Sequence, residues 1–145
     1  MRRFTNFAFI LCLSAVIGCD DPIGPEADLR VVVDADALQV DEPIGVFVRN
    51  ESDRSYWLRC EGGLYHIQQR IDGVWQDVGA TGPALCGMNG LEVVPSGGNS
   101  VRGRDFGLAV PGTYRFYSRV QGTDAVEDPD TFRIYSAAVR IEMAE

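Results

Sequence analysis

From residue 29 onward, hydrophobic positions alternate with polar ones in short runs, and no stretch sustains the 3.6-residue spacing of an amphipathic helix. Gly, Pro, Asn and Asp punctuate these runs, the pattern expected of an all-β sandwich or barrel. Residues 29–34 (LRVVVD) and 38–40 read as a first edge strand, broken near Asp34-Ala35-Asp36. Residues 44–49 follow, with Ile44, Val46 and Val48 on one face. Asn50-Glu51-Ser52-Asp53 is a polar turn, and residues 56–60 form a third strand carrying Trp57. Residues 64–71 and 74–78 flank Asp72-Gly73, a strong hairpin signal because both turn residues must accept positive φ.

A Gly/Pro-rich passage over 79–89 leads through Cys86 to a strand at 91–94, and Pro95-Ser96-Gly97-Gly98 turns the chain into another at 100–106. Pro111-Gly112 opens a strand over 113–121, where Tyr114, Phe116, Ser118 and Val120 alternate with Arg115, Tyr117 and Arg119. That alternation describes one buried face and one charged outer face. The last strand, 131–142, has Phe132 and Ile134 in one phase and Ala137, Val139 and Ile141 in the other, so a β-bulge near Tyr135-Ser136 is expected. Strand number and spacing predict an all-β, immunoglobulin-like antiparallel sandwich of about seven or eight strands, occupying residues 29–145.

Pro111-Gly112-Thr113-Tyr114-Arg115-Phe116 resembles the E–F corner of that architecture, in which a Tyr hydroxyl bonds back to the preceding loop. Phe116 stands where antibody domains place a Cys. The wider pattern, from Asn50-Glu51-Ser52-Asp53 through Asp72-Gly73 and Pro95-Ser96-Gly97-Gly98 to Pro111-Gly112-Thr113-Tyr114, is similar to bacterial Ig-like domains of the intracellular proteinase inhibitor type over most of 44–121. That resemblance implies an inhibitory loop, for which residues 79–89 are the candidate. The cysteine pair and the leader described next depart from an intracellular protein.

Residues 1–19 (MRRFTNFAFILCLSAVIGC) carry two arginines, an apolar stretch and then small residues, as a secretory signal peptide does. Val16-Ile17-Gly18-Cys19 resembles the lipobox of bacterial lipoproteins. The resemblance implies a signal peptide at 1–18, cleavage after Gly18, a diacylglyceryl group on the Cys19 sulfur and an acylated, palmitate-type amino terminus. Several chains are needed because each buried methylene contributes about 0.8 kcal/mol and a single chain anchors only marginally. Residues 19–28, with two prolines and four acids after Cys19, read as a tether. Asp20 resembles an inner-membrane retention signal of enteric-type bacteria, and the choice between inner and outer membrane stays open. The expected location is the cell envelope, with the domain periplasmic or at the cell surface.

Charge narrows the partners. The chain has a net charge of −8, and loss of 1–18 removes Arg2 and Arg3 and no acid, giving −10. Such a balance argues against nucleic-acid binding, which needs a basic face to displace counterions. All 13 basic residues are Arg. Of the 4 cysteines, Cys12 lies in the leader and Cys19 would carry lipid, leaving Cys60 and Cys86 for a disulfide in an oxidising compartment. Such a bridge stabilises by roughly 3–4 kcal/mol in the chain-entropy account.

Catalytic patterns are sparse. His66 is the single histidine, and GxSxG, HExxH, CxxC and P-loop spacings do not occur. Asp124, Glu127, Asp128 and Asp130 crowd residues 121–130 and are the candidates for Ca²⁺, although their spacing is not that of an EF-hand and a solvated acidic loop is the plainer reading. Trp57 and Trp75 could form a carbohydrate platform, but core packing is the preferred reading, with Trp57 set against the disulfide three residues on. Arg115, Tyr117 and Arg119 are the candidates for surface contacts. The expected protein is a lipid-anchored, extracytoplasmic Ig-like module, non-catalytic and without a cofactor, which binds a protein partner or supports an assembly. A proteinase inhibitor and a hydrolase are the alternatives from other classes.

Overall fold

The structure, a computed structural model, describes residues 28–81, 90–100, 103, 106–122 and 131–143. All its regular elements are strands: β1 (Leu29–Val33), β2 (Ala37–Gln39), β3 (Val46–Asn50), β4 (Tyr56–Arg59), β5 (Tyr65–Ile71), β6 (Val74–Thr81), β7 (Leu91–Val94), β8 (Gly112–Gly122), β9 (Thr131–Tyr135) and β10 (Val139–Glu142). They make an all-β, immunoglobulin-like sandwich in which every strand pair but one is antiparallel.

One layer pairs β1 with β3. The segment after the Pro95 turn lies on the other edge of β3, held by bridges Arg49–Asn99 and Ile44–Phe106 and by Ser100 N–H to Val48 O and Gly103 N–H to Val46 O, at 2.8 and 2.7 Å. The strand expected over 100–106 is therefore present as bridges rather than as a regular ladder among the described residues. The second layer is built around β8, the longest strand. One edge of β8 takes β10 and then β9; the other takes β5 and then β4. β6 and β7 flank β5 and β4 in turn. β4/β5 and β9/β10 are each one interrupted strand, so the ten segments trace eight strand paths.

The expected first edge strand is divided between the two layers. β1 pairs β3, whereas β2 pairs β10 in parallel, so the break at Asp34–Asp36 is a switch of sheets. Two local expectations are seen directly. Asp72 and Gly73 have φ of 51° and 81°, and Ile71 pairs Val74 across the two-residue turn. At the end of β9, three residues on one strand oppose two on β8, since Tyr135 faces Tyr117 and Val139 faces Tyr114. Ser136 fills the gap: its N–H donates to Phe116 O at 2.8 Å and its hydroxyl accepts from Phe116 N–H at 2.9 Å. This bulge brings Ile134, Val139 and Ile141 all into the core.

The core lies between the layers and includes Ile44, Val46 and Val48 from one sheet and Leu58, Tyr65, Phe116 and Val120 from the other, all essentially buried. Each such apolar side chain contributes about 1.5–3 kcal/mol by leaving water. Polar links close the sandwich. Ser100 Oγ accepts from Val48 N–H at 2.7 Å and bonds the Tyr65 hydroxyl at 2.7 Å, and burial pushes the Tyr65 pKa upward. Buried Asn50 donates to the carbonyls of Arg54 and Pro95 at 2.7 and 2.9 Å and accepts from Ser52, fixing the β3–β4 turn. At the corner before β8, the Tyr114 hydroxyl donates to Val110 O at 2.8 Å, the bond that the E–F corner resemblance implies.

Candidate functional site

The outer face of the β8 sheet is set by the alternation of β8 itself. Tyr114, Phe116, Ser118 and Val120 point inward, so Arg115, Tyr117 and Arg119 point away from the core. Register then decides their neighbours. Arg119 lies opposite Arg133 of β9 on one side and Arg59 of β4 on the other. The next row carries Tyr135, Tyr117 and His66, and the one after it Arg115, Gln68 and Asp77. Arg70 faces Trp75 at the turn end of the β5–β6 hairpin.

These side chains interlock. The Arg115 guanidinium carbon is 4.4 Å from the Trp75 ring centre and 4.3 Å from that of Tyr135, so the cation is clamped between two rings. Its Nε donates to Gln68 Oε1 at 2.8 Å, and Gln68 Nε2 donates to Asp77 Oδ1 at 2.9 Å. His66 stacks on Tyr117 at 4.7 Å, and Arg133 lies 4.9 Å over the Tyr117 ring. Arg70 approaches Trp75 to 5.9 Å. Arg59 pairs with Glu61 and holds that exposed carboxyl below its ordinary pKa through a hydrogen bond and its charge. Burial, then the charge of Arg119, lowers the His66 pKa against a smaller opposing pull from Asp77. Neutral His66 therefore sits amid fixed cations. His66 Nε2 and Trp75 Nε1 are buried in this layer with no hydrogen-bond partner among the described residues.

Three sequence expectations need correction. Tyr117 is not an exposed contact: it is 1% accessible, because His66, Arg133 and Tyr135 roof its ring from neighbouring strands. Trp57 does not pack in the core, since Tyr56 and Leu58 take the inward phase of β4 and leave it half-buried on the outer face. Trp75 is likewise outward on β6, half-buried beneath Arg115. Arg115 and Arg119 do lie on the outer face, both half-buried.

Other expected sites fall partly or wholly beyond the described residues. Cys60 borders the core after β4, while Cys86 lies outside the described residues, as do Cys19 and the acidic positions Asp124, Glu127, Asp128 and Asp130. Of the passage expected as an inhibitory loop, 79–81 belongs to β6 and 82–89 lies outside the described residues. Among the described residues no group of three or more His, Cys, Asp or Glu is placed to hold a metal.

Sequence reading missed Trp75, Tyr135, Arg133, Gln68 and Asp77 as members of one site. Their outward phases on β5, β6 and β9 were readable, but which strand faces which was not. Comparison with known proteins adds little. No family model matches the sequence, and no curated protein does. Among solved structures, the ASH/PapD-like domain of human CEP192 (PapD-like domain 7) aligns over 99% of this chain and 100% of that domain. The identity is 12% and the TM-score 0.33, a likeness too low to bear on function.

Proposed function

We propose that the protein is a lipid-tethered, extracytoplasmic binding module that engages a protein partner through the outer face of the β8 sheet and performs no catalysis. The observation carrying this reading is the clamped Arg115 within a contiguous layer of Arg, Tyr and Trp. Those residue types dominate the energetics of protein interfaces. Holding a guanidinium between two rings removes part of the rotamer entropy that binding would otherwise cost. The tether rests on the lipobox resemblance at Val16-Ile17-Gly18-Cys19, and a Cys60–Cys86 bridge suits the oxidising compartment to which such a leader exports.

The test is chemical crosslinking in membranes of cells making the full chain, followed by identification of the crosslinked protein. Trp75→Ala and Arg115→Glu should abolish capture, whereas Arg30→Glu, on the exposed surface of the other layer, should leave it intact. Equal capture by all three variants would remove this face from the reading. Cys19→Ala should shift the chain from the membrane to the soluble fraction; unchanged sedimentation would remove the lipid tether.

A further inference from the structure

Arg133, Arg119 and Arg59 stand directly opposite one another across β9, β8 and β4. Side chains so placed have Cβ atoms about 5 Å apart, a spacing at which like charges oppose folding. Among the described residues, one member of this row has a carboxylate within ion-pair distance: Arg59, on Glu61. The other carboxylate of the face among the described residues, Asp77, is engaged by Gln68 and approached by the Tyr117 hydroxyl at 3.5 Å. A chain of net charge −8 has thus gathered five of its 13 arginines, Arg59, Arg70, Arg115, Arg119 and Arg133, on one sheet face.

We propose that this arginine face receives the carboxylates of an acidic protein segment, with Arg119 and Arg133 as the principal anion contacts and Arg115 as a pre-oriented third. The proposal rests on the reading that this face is the binding surface, and it assigns the chemistry of the partner. Guanidinium forks match carboxylates in a bidentate geometry, and the like-charge row is relieved when an anion arrives. A polypeptide is favoured over an anionic polysaccharide because three rings of this face, those of Trp75, Tyr135 and Tyr117, are already covered by guanidinium groups, and Trp57 by itself is a small stacking platform for sugars. Arg115 and Arg70 cover Trp75, Arg115 also covers Tyr135, and Arg133 covers Tyr117. One row beyond Arg59, Trp57 pairs with Val93, which is 44% exposed, an apolar shoulder suited to a hydrophobic side chain beside the acids.

The experiment is fluorescence anisotropy with the full chain in detergent, using a labelled glutamate-rich peptide, its glutamine-substituted counterpart and heparin as a polyanionic glycan. The glutamate peptide should bind, the glutamine peptide should not, and added salt should weaken the complex. Arg119→Gln and Arg133→Gln should each lower affinity about tenfold, as truncation of a central interface arginine does. The melting temperature of Arg119→Gln should stay equal to or rise above that of the unmodified chain, and that of Arg133→Gln should fall by no more than the loss of its one contact with the Tyr117 ring accounts for, which separates lost binding from lost folding. Failure to bind the glutamate peptide, affinity unchanged in both variants, or tighter binding of heparin at matched charge would each overturn the proposal. If Arg119→Gln retains the natural partner while Trp75→Ala loses it, the acidic assignment fails and the binding face stands. Retention by both removes the face itself.

Discussion

Replacing Arg115 by Lys keeps the charge but removes the planar group that lies between Trp75 and Tyr135. At 4.4 and 4.3 Å from the two ring centres, the guanidinium makes two close cation–ring contacts. Each is worth about 0.5–1 kcal/mol when solvent reaches it, and more when it is covered. The Nε bond to Gln68 is charge-assisted, and Gln68 is itself buried, so its loss adds about 1 kcal/mol. An ammonium can retain part of one ring contact and can reach Gln68 only by moving out of the clamp. Arg115→Lys should therefore destabilise by about 1–1.5 kcal/mol and Arg115→Ala by about 2 kcal/mol. A loss of 1 kcal/mol lowers the melting temperature of a domain this size by about 4 °C. Urea unfolding of Arg115→Lys, Trp75→Ala and the double variant gives the coupling free energy, expected near 1 kcal/mol. A coupling below about 0.3 kcal/mol, within the scatter of independent sites, would show that the clamp is geometric proximity without energetic consequence.

Tyr114→Phe removes the corner bond to Val110 O and should cost about 1 kcal/mol in urea unfolding with the strand content by circular dichroism unchanged. Ser100→Ala removes the hydroxyl that accepts from Val48 N–H and bonds the Tyr65 hydroxyl, and should cost about 1–2 kcal/mol, more than Tyr65→Phe. Gly63→Ala should be poorly tolerated, because φ is +128° and a Cβ there would stand 2.8 Å from Ala80 Cβ; a melting temperature within a degree or so of the parent would contradict this. His66 has a folded-state pKa below its ordinary value of 6.5, through burial and Arg119. As pH falls the unfolded chain therefore takes up this proton first, so the His66 contribution is whole above the unfolded pKa and declines below it until the folded pKa is passed. Urea midpoints measured from about pH 7.5 to about pH 5 should fall less steeply for His66→Phe than for the parent; parallel curves would refute the assignment.

Local signals in the sequence were sufficient to place most of the strands, because they act within a few residues. Asp72-Gly73 requires left-handed φ at both positions, and no partner elsewhere is needed to make it a turn. The phase change between Ile134 and Val139 already demands one extra residue, and the bulge supplies it at the expected place. The alternation along β8 likewise determined that Arg115 and Arg119 face out. What no single strand encodes is its neighbour. Tyr117 shares the outward phase, yet it is buried because β5 brings His66 and β9 brings Arg133 and Tyr135 over it. Trp57 looked like a core residue by size and by nearness to Cys60, but the period of two leaves only Tyr56 and Leu58 facing inward. The line of Arg133, Arg119 and Arg59 joins positions separated by up to 74 residues in sequence and exists only through the registers of β8 with β9 and β4. Turn chemistry and hydrophobic period are properties of short segments, whereas a sheet face is a property of pairing, and pairing is decided by the whole packed core.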